Sequence, residues 1–139
     1  MTSSELAIHL GARVWFIDRH RPLLFWAQIA FFTVGAFFYI GGITEPGVFK
    51  ETTWGSLAYE RDASFWGAVN AISAFITALG LVRPVKNKMI AVGAVLQIMQ
   101  FSAIATSCIA YGGDIGIGMY AAVFAILHCK IAYEAVKGL

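Results

Sequence analysis

Apolar and polar positions fall along this chain in long blocks. The cleanest block, 89–111 (MIAVGAVLQIMQFSAIATSCIAY), contains no Asp, Glu, Lys, Arg or His and directly follows the basic run Arg83-Pro84-Val85-Lys86-Asn87-Lys88. As a helix rising about 1.5 Å per residue it is long enough to cross a hydrocarbon core of roughly 30 Å. Similar blocks at about 22–43, 65–82 and 115–133 predict three more spans. They are separated by Gly41-Gly42 with Glu45-Pro46-Gly47, by the basic run, and by Gly112-Gly113-Asp114. Connections as short as the last two return the chain at once through the bilayer. The expected fold is therefore all-α, an integral membrane four-helix bundle with antiparallel spans, forming one membrane domain over 1–139.

The flanks of these blocks add detail. In 1–21, Leu6, Leu10, Val14 and Ile17 repeat at helical spacing behind Ser3 and Ser4, which can cap a helix. The segment ends in the charged collar Asp18-Arg19-His20-Arg21 and reads as an N-terminal amphipathic helix lying in the interface. Pro22 then suits the first position of the first span, where its missing N–H is not needed. Phe25, Trp26, Phe31, Phe32, Phe37, Phe38 and Tyr39 make that span ring-covered, as befits a helix facing lipid. The loop 44–64 has a net charge of −2 from Glu45, Lys50, Glu51, Glu60, Arg61 and Asp62. Its Phe49, Trp54, Leu57 and Tyr59 favour the membrane surface.

Composition agrees with the block pattern. Hydrophobic residues make up 59% of the 139, charged residues only 13%, and the mean hydropathy is +0.72. Soluble domains carry about 25% charged residues. The formal charge of +2 gives no reason to expect a nucleic-acid partner, and the position of each charge matters more than the sum. With the N-terminus inside, Arg13, Arg19, Arg21, Arg83, Lys86, Lys88, Lys130 and Lys137 lie on the cytoplasmic side, against Lys50 and Arg61 outside. Eight against two predicts a multi-pass protein of the cell (inner) membrane with both termini cytoplasmic. Cys108 and Cys129 fall toward opposite faces, too far apart for a disulfide, so both are expected reduced and buried.

Signatures of soluble enzymes are missing: no phosphate-binding loop, dinucleotide fingerprint, paired metal-ligand spacing or nucleophile elbow occurs. The remaining chemistry is polarity inside the bilayer, which is costly enough to have a purpose. At 100° per residue, Gly93, Gln97, Gln100, Ser107 and Tyr111 share one stripe of the third span, and Asn70, Ser73 and Thr77 share one on the second. On the fourth, Asp114, Gly118, Ala121, Ala125, His128 and Ala132 form a small-residue face suited to close helix contact. Gln28, Thr77, Gln97 and His128 lie at similar depth, about 10 Å from the cytoplasmic boundary at helical rise, and Gln100 lies one turn further in. These five residues are the candidate polar layer, either a packing device or a site for a proton, quinone or small polar ligand. No cofactor is implied, since bis-histidine haem ligation needs a second histidine and only His20, in the collar, is near. Lys130 can reach the interface with Glu134 four residues on as its partner.

At Gly80-Leu81-Val82-Arg83-Pro84, leading into Met89, the chain resembles the turn between the second and third spans of DoxX-like small membrane proteins. Span count, length and the longer first loop agree with that family. The resemblance implies the four-helix fold and a redox or quinone-linked role, and it transfers no functional residue. Two other functions fit the residues themselves. One is a non-enzymatic accessory or assembly subunit bound to a protein partner or to copies of itself. The other is a holin-like pore former, whose polar helix faces rearrange around water.

Overall fold

The computed structural model describes Thr2, Ser3 and residues 15–44 and 63–139. Among these residues there are four long helices: α1 (Trp15–Thr44), α2 (Ala63–Leu81), α3 (Asn87–Ala110) and α4 (Ile115–Lys137). Each is long and apolar enough to cross a membrane. Of the expected interfacial helix over 1–21, residues 1 and 4–14 lie outside the described residues and 15–21 form the first turns of α1; of the expected loop 44–64, residues 45–62 lie outside the described residues, and 44, 63 and 64 belong to helices.

The first span differs from expectation in where it begins. α1 starts before the collar and runs straight through Pro22, which therefore lies inside the helix and not at its first position. Proline removes one backbone donor, and the acceptor it orphans is the carbonyl of Asp18, one turn earlier. Both residues are exposed, so water can serve that carbonyl. The fourth span continues one turn past the expected 133, through Lys137. Lys130 Nζ reaches Glu134 Oε1 at 2.9 Å, and this contact bridges the added turn.

Local signals account for the turns. After α2, the Lys86 amide donates to the Gly80 carbonyl at 2.8 Å, closing the connection to α3, and the Arg83-Pro84 peptide is cis. Gly112, at φ +87°, adopts the left-handed backbone that ends the turn after α3. Asp114 then caps α4, its Oδ1 accepting from the Ile117 amide at 3.0 Å.

Close packing runs in chain order, α1 on α2, α2 on α3 and α3 on α4, and glycines set the spacing. A Cβ on Gly35 would lie 2.6 Å from the Ala71 amide nitrogen and 2.8 Å from the Gly67 carbonyl oxygen. One on Gly42 would strike the Ser64 amide, so later residues of α1 meet earlier residues of α2. Gly93 of α3 rests against Ser73 and Thr77 of α2, and Gly118 of α4 against Cys108 and Ile109 of α3. Small residues permit such backbone approach where lipid supplies no hydrophobic drive. The meeting of α1 and α4 is looser, because rings fill it: Phe31 and Phe124 stand with centroids 5.0 Å apart.

Two apolar clusters form the core. One joins Ile17 and Leu24 to Leu81, Ile90, Ala91, Ala94, Ile131, Ala132 and Ala135. The other joins Phe101, Ile104, Ala105, Cys108, Ala121 and Ala125, with Phe31, Phe38 and Trp66 against it. Leu23, Trp26, Phe37 and Tyr39 are exposed, as a lipid-facing α1 requires, whereas Phe31 turns inward. Cys108 is buried, but Cys129 is exposed, against expectation. It directly follows the inward-facing His128, and one residue along a helix turns the side chain about 100° away.

Candidate functional site: a buried polar layer

Helical periodicity carries at least one polar residue of each of the four helices inward, while Thr33, Ser102 and Thr106 remain exposed. Asn70, Ser73 and Thr77 on α2 are buried, as are Gln97, Gln100 and Ser107 on α3. Tyr111 departs from its predicted stripe and is 53% exposed, because α3 has ended by that residue. On α4 the predicted face is buried from Gly118 to Ala132 and carries His128 with it, whereas Asp114, the cap ahead of the helix, is exposed. Gln28 is the matching residue on α1, and its side chain is fully buried.

Gln28, Thr77, Gln97 and His128 are each fully buried, and they pair across helices. Gln28 Nε2 lies 3.1 Å from His128 Nε2, joining α1 to α4 across a hundred residues of chain. The other ring nitrogen, His128 Nδ1, is 2.7 Å from the Phe124 carbonyl oxygen. A carbonyl only accepts, so Nδ1 carries the hydrogen; Nε2 then presents its lone pair, and the Gln28 amide donates to it. The neutral Nδ1–H tautomer satisfies both contacts. Phe31 and Phe101 each pack on the same imidazole with centroids 5.5 Å away. Phe124 completes the surround, 5.0 Å from Phe31 and 5.4 Å from Phe101.

The second pair is weaker. Thr77 Oγ1 donates to the Ser73 carbonyl at 2.8 Å, which occupies its only hydrogen, and stands 3.5 Å from Gln97 Oε1. At that distance, and with the one hydroxyl hydrogen directed at Ser73, Thr77 and Gln97 share little or no hydrogen bond. Gln97 Nε2 is buried without a partner, and so is Gln28 Oε1. Gln100 is buried one turn further along α3, and its Oε1 also lacks a partner. It shares the interior but belongs to neither pair.

One polar link lay outside the predicted layer. Asn70 Nδ2 donates to the Phe31 carbonyl at 2.7 Å, tying α2 to the α1 backbone. Asn70 stood in the predicted α2 stripe, but a backbone partner leaves no mark in a sequence. Among the described residues no group of three His, Cys, Asp or Glu side chains could hold a metal ion. Comparison of the chain with protein-family profiles, with curated proteins and with solved structures finds no match.

Proposed function

We propose that this chain is a multi-pass protein of the cell (inner) membrane, an antiparallel four-helix bundle that serves as a non-enzymatic accessory or assembly subunit. The observation that carries this reading is the state of His128. Both ring nitrogens are engaged, by Gln28 and by the Phe124 carbonyl, and Phe31 and Phe101 pack on the ring. A histidine so committed joins helices and offers no lone pair to a haem, quinone or substrate, which sets the DoxX-like redox role below the accessory one. Cytoplasmic placement of both termini is supported by the eight-to-two distribution of Lys and Arg. The order of contacts supports antiparallel spans. Arg21 near the start of α1 reaches Leu81 at the end of α2, and Asn87 at the start of α3 reaches Gly138 after α4.

A second reading, the holin-like pore, has its own support. Gln28 Oε1, Asn70 Oδ1, Gln97 Nε2 and Gln100 Oε1 are buried on three helices without partners, and water would satisfy them if the helices reassembled around an aqueous path. Induced expression in a bacterial host with a membrane-potential dye separates the two. The accessory reading expects intact potential and normal growth, a purified protein without visible absorbance, and co-purification with one partner or as a defined oligomer. Rapid depolarisation that Gln97→Leu abolishes would replace it with the pore.

A further inference from the structure

At the end of the molecule where α1 begins and α2 turns into α3, Asp18, Arg21, Arg83, Pro84 and Val85 line an open cleft of about 800 Å³. That size is within the range of small-molecule sites, roughly 300–1,000 Å³. Asp18 and Arg21 stand three residues apart on α1 and so share one helix face, while Arg83 comes from the α2–α3 turn. Asp18 makes no ion pair with Arg21 or Arg83. Arg21 Nη1 makes one long contact, 3.4 Å to the Leu81 carbonyl, which orients the guanidinium at the cleft wall and leaves its other donors available. Arg83 and Asp18 are exposed.

From this arrangement we infer that the cleft is a binding site for a phospholipid headgroup that combines a phosphate with a primary ammonium, the phosphoethanolamine type. Two guanidinium groups match a phosphodiester through paired N–H donors. The single carboxylate, Asp18, which makes no ion pair with either of them, matches the ammonium of the headgroup. A primary ammonium donates three hydrogen bonds to such a carboxylate. A quaternary choline donates none, and an uncharged glycerol headgroup brings no positive charge to it. The location fits a lipid and not a freely diffusing phosphate, because the cleft opens where apolar helices emerge from the hydrocarbon into the charged collar. This inference rests on the membrane reading above.

The test is lipid retention by the full-length protein. Protein purified in mixed micelles holding equal amounts of dioleoyl phosphatidylethanolamine, phosphatidylglycerol and phosphatidylcholine is washed in lipid-free detergent, and the bound lipid is quantified by mass spectrometry. Wild type is expected to retain the ethanolamine lipid about tenfold over the choline lipid, the factor that one charge-assisted hydrogen bond supplies. Arg83→Ala should lower retention of all three lipids. Asp18→Asn should keep retention but erase the ethanolamine preference, and Lys88→Ala, outside the cleft, should change neither. All three positions are exposed, and an unchanged elution profile and helix content verify folding. The inference is overturned by equal retention of the three lipids, by a preference that survives Asp18→Asn, or by Lys88→Ala matching Arg83→Ala. Displacement of the lipid by soluble phosphoethanolamine at a concentration no higher than the lipid's own would also overturn it, by showing that the acyl chains contribute nothing. A chain that inserts into membranes yet retains lipid without selectivity sinks this inference alone; one that fails to insert sinks the membrane reading with it.

Discussion

Replacing Gly67 with alanine tests the packing directly, because the added methyl group has only backbone to push against. A Cβ there would lie 2.6 Å from the Gly35 carbonyl oxygen and 2.8 Å from the Phe38 carbonyl carbon, and it would also strike the Tyr39 amide. Ordinary van der Waals contact begins near 3.4 Å, so α1 and α2 must separate by about 0.8 Å to clear the Gly35 oxygen alone. No flexible side chain can yield in their place. Overpacking of this kind costs about 1–3 kcal/mol, and the absence of a yielding side chain puts this site at the upper end. Alanine returns up to about 1 kcal/mol of helix propensity. The expected net loss is therefore about 1–2 kcal/mol, read as a lowered midpoint in SDS or thermal unfolding of the detergent-solubilised protein. Gly116→Ala is the control, since its Cβ would meet only the Asp114 carboxylate oxygen, at 3.1 Å. Gly35 and Gly67 face each other, so separation forced by one substitution makes room for the second, and the double variant should lose less than the sum. If Gly67→Ala is as stable as Gly116→Ala, α1 and α2 do not approach as described, and the packing argument fails.

Three further outcomes follow from the interior. A double-mutant cycle on Gln28→Leu and His128→Leu should give a coupling of about 0.6–1.7 kcal/mol, the range for hydrogen bonds between membrane helices. His128→Leu alone should be less stable than the double variant, because it strands the Gln28 amide whereas the double variant removes both partners; additive losses would mean the pair does not form. Lys130→Met should destabilise more than Lys130→Met combined with Glu134→Gln, since the Glu134 side chain is only 7% exposed and its carboxylate would otherwise lose its cation; equal midpoints would show that water already solvates it. Gly93→Leu should prevent folding, because its side chain would overlap Thr77 and the Ser73 carbonyl, and native-like helix content with an unchanged elution profile would contradict the α2–α3 contact.

How much of this was legible in the sequence depends on the signal each feature leaves. The spans are blocks of apolar composition and were readable to within four residues, except at the start of α1, which lies seven residues before the expected 22. The inward faces of α2, α3 and α4 were readable too, since polar or small residues recur on one side of an otherwise apolar cylinder. Depth counting placed Gln28 with His128, which share a hydrogen bond. α1 gave less: it is apolar over most of its surface, and only the spacing of Phe31, three residues from Gln28, sets that inward ring apart from the exposed rings of Trp26 and Phe37. Pro22 was misplaced because the preference of proline for a helix start is a statistical rule, while an exposed proline within a helix costs little when water serves the orphaned carbonyl. The cleft left no sequence signal, since Asp18 and Arg83 are sixty-five positions apart and meet only through the fold.

The unequal seams between helices give the molecule a mechanical grain. Backbone rests on backbone where α1 meets α2, α2 meets α3 and α3 meets α4, and parting any of these loses many contacts together. Between α1 and α4 there are mainly rings and one amide–imidazole bond. Under lateral load, this wall of the bundle gives first. It would swing like a book cover about the α2–α3 spine, with Gln28 and His128 as its clasp.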